Sequence, residues 1–145
     1  VIDLGTTDTN NMGAAMAPAV ADTILNHFQD LNREPDYYDL IVTGDLGTVG
    51  LQLLKEILKK SNLPMGKNLS DCGIMVFSPK QDTHAGGSGC GCSAVVLSGH
   101  ILNQINSGEL KKVLLIGSGS LHSPTSALQG ETIPAIGHAV TIEMI

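Results

Sequence analysis

The segment Gly87-Ser88-Gly89-Cys90-Gly91-Cys92-Ser93-Ala94 runs straight into Val95-Val96-Leu97-Ser98-Gly99-His100-Ile101-Leu102. This junction constrains the fold more than any other stretch of the chain. A loop of the smallest residues opens a helix, expected over about residues 90–106, that is apolar almost all round. A surface helix carries one apolar stripe, whereas a helix apolar on every side is covered on every side. The segment is therefore expected between layers, with small residues at its start letting other backbones approach and Gly108 as its C-terminal stop. Backbone N–H groups left unpaired at such a start favour a carboxylate or another acceptor. A deep site at this helix start is the first functional expectation.

A length of 145 residues suits one compact domain over 1–145. Apolar residues at 42% and charged residues at 15% exclude intrinsic disorder. Aromatic residues make up only 3%, so the core must be aliphatic. The formal net charge is −6, and Lys55, Lys59 and Lys60 read as the solvated face of a helix, so a nucleic-acid partner is not expected. The cysteines are Cys72, Cys90 and Cys92. Their odd count and C-x-C spacing make no disulfide framework and favour a reducing compartment. No apolar stretch has membrane-spanning length, and no signal peptide is visible. The chain opens Val1-Ile2-Asp3-Leu4 without Met. These residues read as the tail of a strand, so a piece of a longer protein is expected.

Along the chain, residues 5–13 read as a polar loop. A helix follows with Pro18 in its first turn and Val20, Ile24, Phe28 and Leu31 on one face. Tyr38–Thr43 is a short buried strand ended by Gly44-Asp45-Leu46-Gly47. A second helix carries Leu51, Leu54, Ile57 and Leu58 on one face. Residues 61–72 are expected as a loop, Gly73–Phe77 as the next strand, and Pro79–Gly89 as a polar loop holding His84. After the apolar helix come a strand at Val113–Ile116, a long loop at Ser118–Gly137 and a last strand at Ala139–Met144. The order is (β)αβαβαββ. Strands alternating with helices argue for an α/β fold with a mixed, mainly parallel sheet. The last two strands have no helix between them, which places the final one antiparallel at the sheet edge.

Several residue types carry more than one reading. Cys90 and Cys92 are expected to pack as small buried residues, with pocket lining, metal binding or nucleophilic attack as alternatives. The glycines at 87, 89 and 91 hint at a phosphate cradle, but Cys at 92 breaks the G-x-G-x-x-G pattern and no strand feeds the loop directly. Ser118 and Ser120 lie in Gly-Ser-Gly-Ser, which is not a nucleophile elbow and reads as a tight turn. His84, His122 and His138 are surface or structural residues unless they converge on an anionic ligand, and His100 reads as a core histidine. Asp45 caps a helix or holds Ca²⁺, with capping the preferred role.

The element order resembles one half of the thiolase-like fold, in which two similar halves stack their sheets around two buried helices. Gly87-Ser88-Gly89-Cys90-Gly91-Cys92-Ser93 sits where thiolases and ketoacyl synthases carry Gly-His-x-x-Gly-Ala-Ser/Ala. More specifically, Met12-Gly13-Ala14-Ala15-Met16-Ala17-Pro18-Ala19, Asp39-Leu40-Ile41-Val42-Thr43-Gly44-Asp45-Leu46, Ala85-Gly86-Gly87-Ser88-Gly89-Cys90-Gly91-Cys92-Ser93-Ala94-Val95-Val96 and Glu131-Thr132-Ile133-Pro134 are similar to the C-terminal half of the stage V sporulation protein AD family. The resemblance covers nearly the whole chain.

It implies a C-terminal thiolase-like half that binds dipicolinic acid, or its calcium chelate, and aids uptake of that acid into the developing spore. The implied partners are other stage V sporulation A-type membrane proteins and an N-terminal half of the same protein, and a homodimer stays open. The implied location is the forespore or spore, peripheral at its inner membrane. No cofactor is expected beyond Ca²⁺ arriving with the ligand. The condensing enzymes of this fold place two imidazole or amide groups in this half, and here those places fall at Ser88 and near Gly44-Asp45-Leu46-Gly47. A serine cannot serve as a base as imidazole does, and an aspartate repels a developing oxyanion. A non-catalytic role is thus expected, with an acyl-transfer or condensing enzyme of altered site as the alternative and an inert assembly module as a third reading. The expected ligand-binding residues are Asp45, Ser88, Gly89, Cys90, Gly91, Cys92, Ser120 and His122, with no catalytic residue and no metal site.

Overall fold

A computed structural model of the chain describes residues 1–144. Four strands form one sheet in the order β2-β1-β3-β4. They are β1 (Leu40–Thr43), β2 (Leu69–Asp71), β3 (Lys112–Ser120) and β4 (Ala135–Glu143). β1 pairs in parallel with both β2 and β3, while β3 and β4 are antiparallel, with Leu115 opposite Val140. The α/β class, the mainly parallel sheet and the antiparallel edge strand are all as the sequence leads one to expect. Ile2 forms an antiparallel bridge to Ala135 on the outer side of β4.

Helices cover both faces. On one face lie α1 (Met12–Leu31) and α2 (Gly47–Lys60), whose Met16, Val20, Ile24, Phe28, Leu51, Leu54 and Leu58 pack with Ile41, Leu114 and Ile116. The two helices cross so closely that a Cβ on Gly13 would sit 2.7 Å from the Leu46 carbonyl oxygen and 2.9 Å from Gly50 Cα. On the other face, Val96, Ile101 and Ile105 pack with Val42, Cys72 and Val113. These residues belong to a composite helix over 92–106. It consists of α4 (Cys92–Val96), a π turn (Leu97–Ile101) and α5 (Leu102–Asn106).

The structure corrects several boundaries. α1 begins at Met12, because the Asn11 side chain accepts the Ala14 N–H (3.1 Å) and caps the helix there. Pro18 is therefore inside the helix rather than in its first turn. The strand expected at Gly73–Phe77 is instead β2 at Leu69–Asp71, and Cys72–Met75 forms α3, a single helical turn capped by Asp71. Hydrophobic content cannot separate the two for so short a run; the parallel register with β1 does. The Gly-Ser-Gly-Ser stretch is not a turn: β3 continues through Ser120. The expected loop 118–137 shrinks accordingly, and it holds α6 (Pro124–Leu128).

The apolar helix is covered on one side only among the described residues. Val96 and Ile101 are buried, yet Val95 is 59% exposed, and His100, expected in the core, is exposed as well. Val140 on β4 is similarly open at 57%. It lies on the same sheet face as Ile142, which packs against the composite-helix side.

A polar cluster ties α1 to the start of β1 and the end of β4. Arg33 donates to the Tyr38 hydroxyl (2.6 Å) and to Glu143 (2.8 Å). That leaves the Tyr38 hydroxyl proton for Nε2 of neutral His27 (2.7 Å). Burial, and then the Arg33 charge, lower the His27 pKa, with Asp30 opposing weakly. The unfolded chain thus binds a proton more readily than the folded one. The contribution of His27 is complete above the unfolded histidine value and is lost as pH falls from there through the lowered folded value. Urea midpoints should therefore fall between pH 7.5 and 5.5. A His27→Gln variant should show a smaller fall, and an equal fall in both proteins would refute the assignment.

Candidate functional site

β1 and β3 are parallel and run toward the same edge of the sheet, with Thr43 opposite Ile116 and β3 continuing to Ser120 past the end of β1. Open parallel sheets place ligands in the crevice outside such ends. The β3 row that faces α1 runs Leu114, Ile116, Ser118, Ser120, because alternate residues share a face. The first two are core residues. The row turns polar where the strand leaves the core.

The loop after β1 is organised from below by Asp71, which is fully buried. Its Oδ2 accepts from Thr43 Oγ1 (2.6 Å) and the Leu46 N–H (2.9 Å). Its Oδ1 accepts from the N–H groups of Gly47 (3.0 Å) and Ile74 (3.3 Å). One carboxylate therefore satisfies the start of α2 and of α3 together, in place of two separate caps. Asp45 faces the other way. Its Oδ2 accepts from the Gly89 N–H (2.9 Å), and its Oδ1 from Ser118 Oγ (3.0 Å). Ser118 Oγ in turn accepts from the Asp45 N–H (3.2 Å). Asp45 thus ties the end of β1 to the end of β3 and to the glycine loop. It does not cap α2, whose N-cap is Leu46.

Two cavities meet at Asp45. One, of about 220 Å³, is lined by Met12, Met16, Asp45, Gly89, Cys90, Ser93 and the strand end Ser118–Ser120. The other, of about 470 Å³, lies between residues 8–13, the loop 45–49 and residues 85–88. Of the residues singled out in the sequence, Asp45, Gly89, Cys90 and Ser120 share the first cavity, and Ser88 lines the second. Cys92 lies partly buried against the apolar cluster beneath the composite helix. Gly91 stands beside open space, with nothing within 4 Å of a Cβ placed there. His122 lines a separate small cavity with Thr9 and Glu131, and His84 another with Phe77 and Asp82. The histidines therefore do not converge.

The thiols are held protonated where the structure constrains them. Burial, reinforced by Asp71, Cys92 and Asp45, pushes Cys72 up to about 12. Burial, with Asp45 and Asp71, also raises Cys92. A thiol raised in this way is a poor nucleophile and metal ligand. Cys90 is exposed at the cavity mouth rather than packed. Among the described residues no group of three His, Cys, Asp or Glu side chains is placed to hold a metal ion.

Sequence reasoning missed Asp71, Met12 and Met16 as site residues, and read Ser118, which it singled out, as part of a turn. The signal for Asp71 was its place before a helical turn, hidden once the strand was set four residues too late. Ser118 would have followed from extending the period-2 row of β3.

The family described as Stage V sporulation protein AD (SpoVAD) matches residues 1–143. Stage V sporulation protein AD of Bacillus subtilis (strain 168) is 53% identical over 143 residues, which is 99% of this chain and 42% of that protein. The chain thus spans less than half the length of this curated relative.

Proposed function

The chain belongs to the stage V sporulation protein AD family, and on that premise we propose that it contributes the C-terminal wall of a non-catalytic site for dipicolinic acid or its calcium chelate. The observation that carries the reading is the cavity at the ends of β1 and β3, where Asp45, Gly89, Cys90, Ser93 and Ser120 meet. Its volume of about 220 Å³ is small. Pockets for drug-sized ligands hold about 300–1,000 Å³, so this cavity by itself suits a single flat ring with short substituents. Met12 and Met16 offer adaptable apolar wall, and the serine hydroxyls and helix-start amides offer donors to carboxylates.

Against condensing chemistry stand Ser88, which is no imidazole, and the raised Cys92 thiol. Asp45 adds a negative charge where an oxyanion would form. The same charge, and the net −6 of the chain, oppose a dianion at long range. Local donors or an accompanying Ca²⁺ offset this. In this reading the protein acts in spore formation, at the inner spore membrane beside the stage V A-type membrane proteins. No helix among the described residues is long and apolar enough to cross a membrane.

Calorimetric titration of the full-length protein with dipicolinate, with and without Ca²⁺, tests the reading. Saturable binding of one ligand per chain is expected, with no turnover of acyl-CoA substrates. Absence of binding under both conditions, or acyl-CoA turnover abolished by Cys90→Ala, would overturn it.

A further inference from the structure

The chain holds four aromatic residues, two Phe and two Tyr. Phe28 and Tyr38 are buried, and Tyr37 lies against Arg33 and Lys112, at 4.2 and 3.9 Å from its ring centre. Phe77 is 39% exposed. One side of its ring is fixed, because the ring edge stands 2.8 Å from where a Cβ on Gly87 would be. The ring also lines a cavity of about 260 Å³ that shares no residue with the 220 Å³ cavity at Asp45. Ile74 and Pro79 complete its apolar lining, and among the described residues Asp82 is its one carboxylate. The turn that carries Asp82 is held in place. Ser78 and Gln81 close a capping box, with the Ser78 N–H donating to Gln81 Oε1 (2.7 Å). Asp82 and His84 stand at φ +49 and +51, and the Gly86 N–H donates to the Thr83 carbonyl (2.9 Å). Strain of this kind persists where the surroundings over-determine it, and it gathers at binding sites.

We propose that this cavity docks an arginine side chain of a partner protein, with the guanidinium stacked on Phe77 and paired with Asp82. An aromatic face beside a carboxylate is the combination that recognises a guanidinium, which stacks and forks at once. The aliphatic stem of the arginine would lie along Ile74 and Pro79. An apolar side chain would leave Asp82 without a role. Asp82 Oδ1 lies 3.9 Å from His84 Nδ1, with both side chains at least 90% exposed, and so solvated a contact holds the carboxylate only weakly. The net charge of −6 draws a basic segment toward the chain at long range. A second copy of this stretch does not supply the group. Arg33 is its one arginine, and it is engaged by Tyr38 and Glu143. The inference stands apart from the ligand reading above.

The test titrates the isotope-labelled full-length protein with a short, end-blocked glycine peptide carrying one arginine, and follows backbone amide shifts by NMR. The same peptide with citrulline, leucine or glutamate in place of arginine gives the comparison. Saturable shifts at Thr83, Gly86 and Gly87 are expected with the arginine peptide. Citrulline keeps the shape and loses the charge, so it should bind about fivefold or more weakly. Asp82→Asn should weaken the arginine peptide about three- to tenfold, as befits one charge-assisted contact. Asparagine tolerates positive φ, so this variant keeps the turn. Phe77→Leu keeps an apolar side chain without a π face and should cost about two- to fivefold. Equal binding of the arginine and citrulline peptides would overturn the proposal, as would undiminished binding by either variant or shifts confined to residues outside 77–87. Tighter binding of the leucine peptide would make the cavity a purely apolar docking site and also overturn it. Shifts at the same amides on concentrating the protein without peptide would put a second copy in the cavity, which equally counts against an arginine from a partner.

Discussion

Asp71→Ala is expected to lower the stability of this fold by about 3–5 kcal/mol, the scale of leaving several buried donors unpaired at about 1–3 kcal/mol each. The carboxylate accepts four hydrogen bonds from three segments: Thr43 at the end of β1, Leu46 and Gly47 at the start of α2, and Ile74 in α3. Removing it leaves these donors without their acceptor in a place water does not reach. Asp71→Asn is not a mild alternative. Each carboxylate oxygen serves two donors, so either orientation of the amide turns its NH₂ toward two of them. Urea denaturation of both variants measures the effect. A midpoint within experimental error of wild type for Asp71→Ala would show that the loop after β1 is held by other means. The variant should also lose ligand binding beyond its loss of stability, because the loop anchored by Asp71 is the one that aims Asp45 at Gly89.

Gly86→Ala is expected to cost about 2–4 kcal/mol, combining backbone strain with a steric clash, and to abolish the dipicolinate binding proposed for the full-length protein. Gly86 has φ +111, a conformation open only to glycine. A Cβ there would lie 2.6 Å from the Gly73 carbonyl oxygen and 3.0 Å from the Gly73 carbonyl carbon. Neither is the end of a flexible side chain, so the loop itself must move. That shift breaks the bond from the Gly87 N–H to the Gly73 oxygen (2.7 Å) and carries Gly89 away from Asp45. Gly91→Ala makes the contrast, since a Cβ there meets nothing within 4 Å. It should fold as wild type. Wild-type binding by Gly86→Ala would mean that the glycine loop is not part of the site.

The parts of the fold legible in the sequence are those with enough periodicity to be read locally. α2 is one: Leu51, Leu54 and Leu58 repeat at helical spacing and are the large residues it buries, beside Gly47 and Gly50. The antiparallel edge strand is another, since two adjacent strands with no long helix between them leave little other topology. Short elements are different. Leu69–Asp71 and Cys72–Met75 are both small apolar runs, and only pairing with Ile41–Thr43 makes the first a strand and the second a helical turn. That one face of the apolar helix stays partly open follows from the sequence if a partner half is needed to cover it, but that Val95 and His100 lie on that face does not, because hydropathy says how much surface a helix should cover and not which neighbour covers it.

For the site, the glycine–cysteine loop stood out in the sequence by composition, Asp45 through the family resemblance, and Ser120 only within a stretch read as a turn. That they meet was decided by tertiary structure. The residues are separated by tens of positions, and the parallel pairing of β1 with β3 brings Asp45 onto Ser118 and Gly89 at hydrogen-bond distance. The same folding kept His122 and His84 apart, although their chemistry suited the same ligand. Residue type is set by the codon and is local, so the sequence by itself determined which chemistry was on offer. Hydrogen-bond register and burial are non-local, so only the fold decided that Ser118 is spent on Asp45 and that Ser120, two residues further along one strand, is left free.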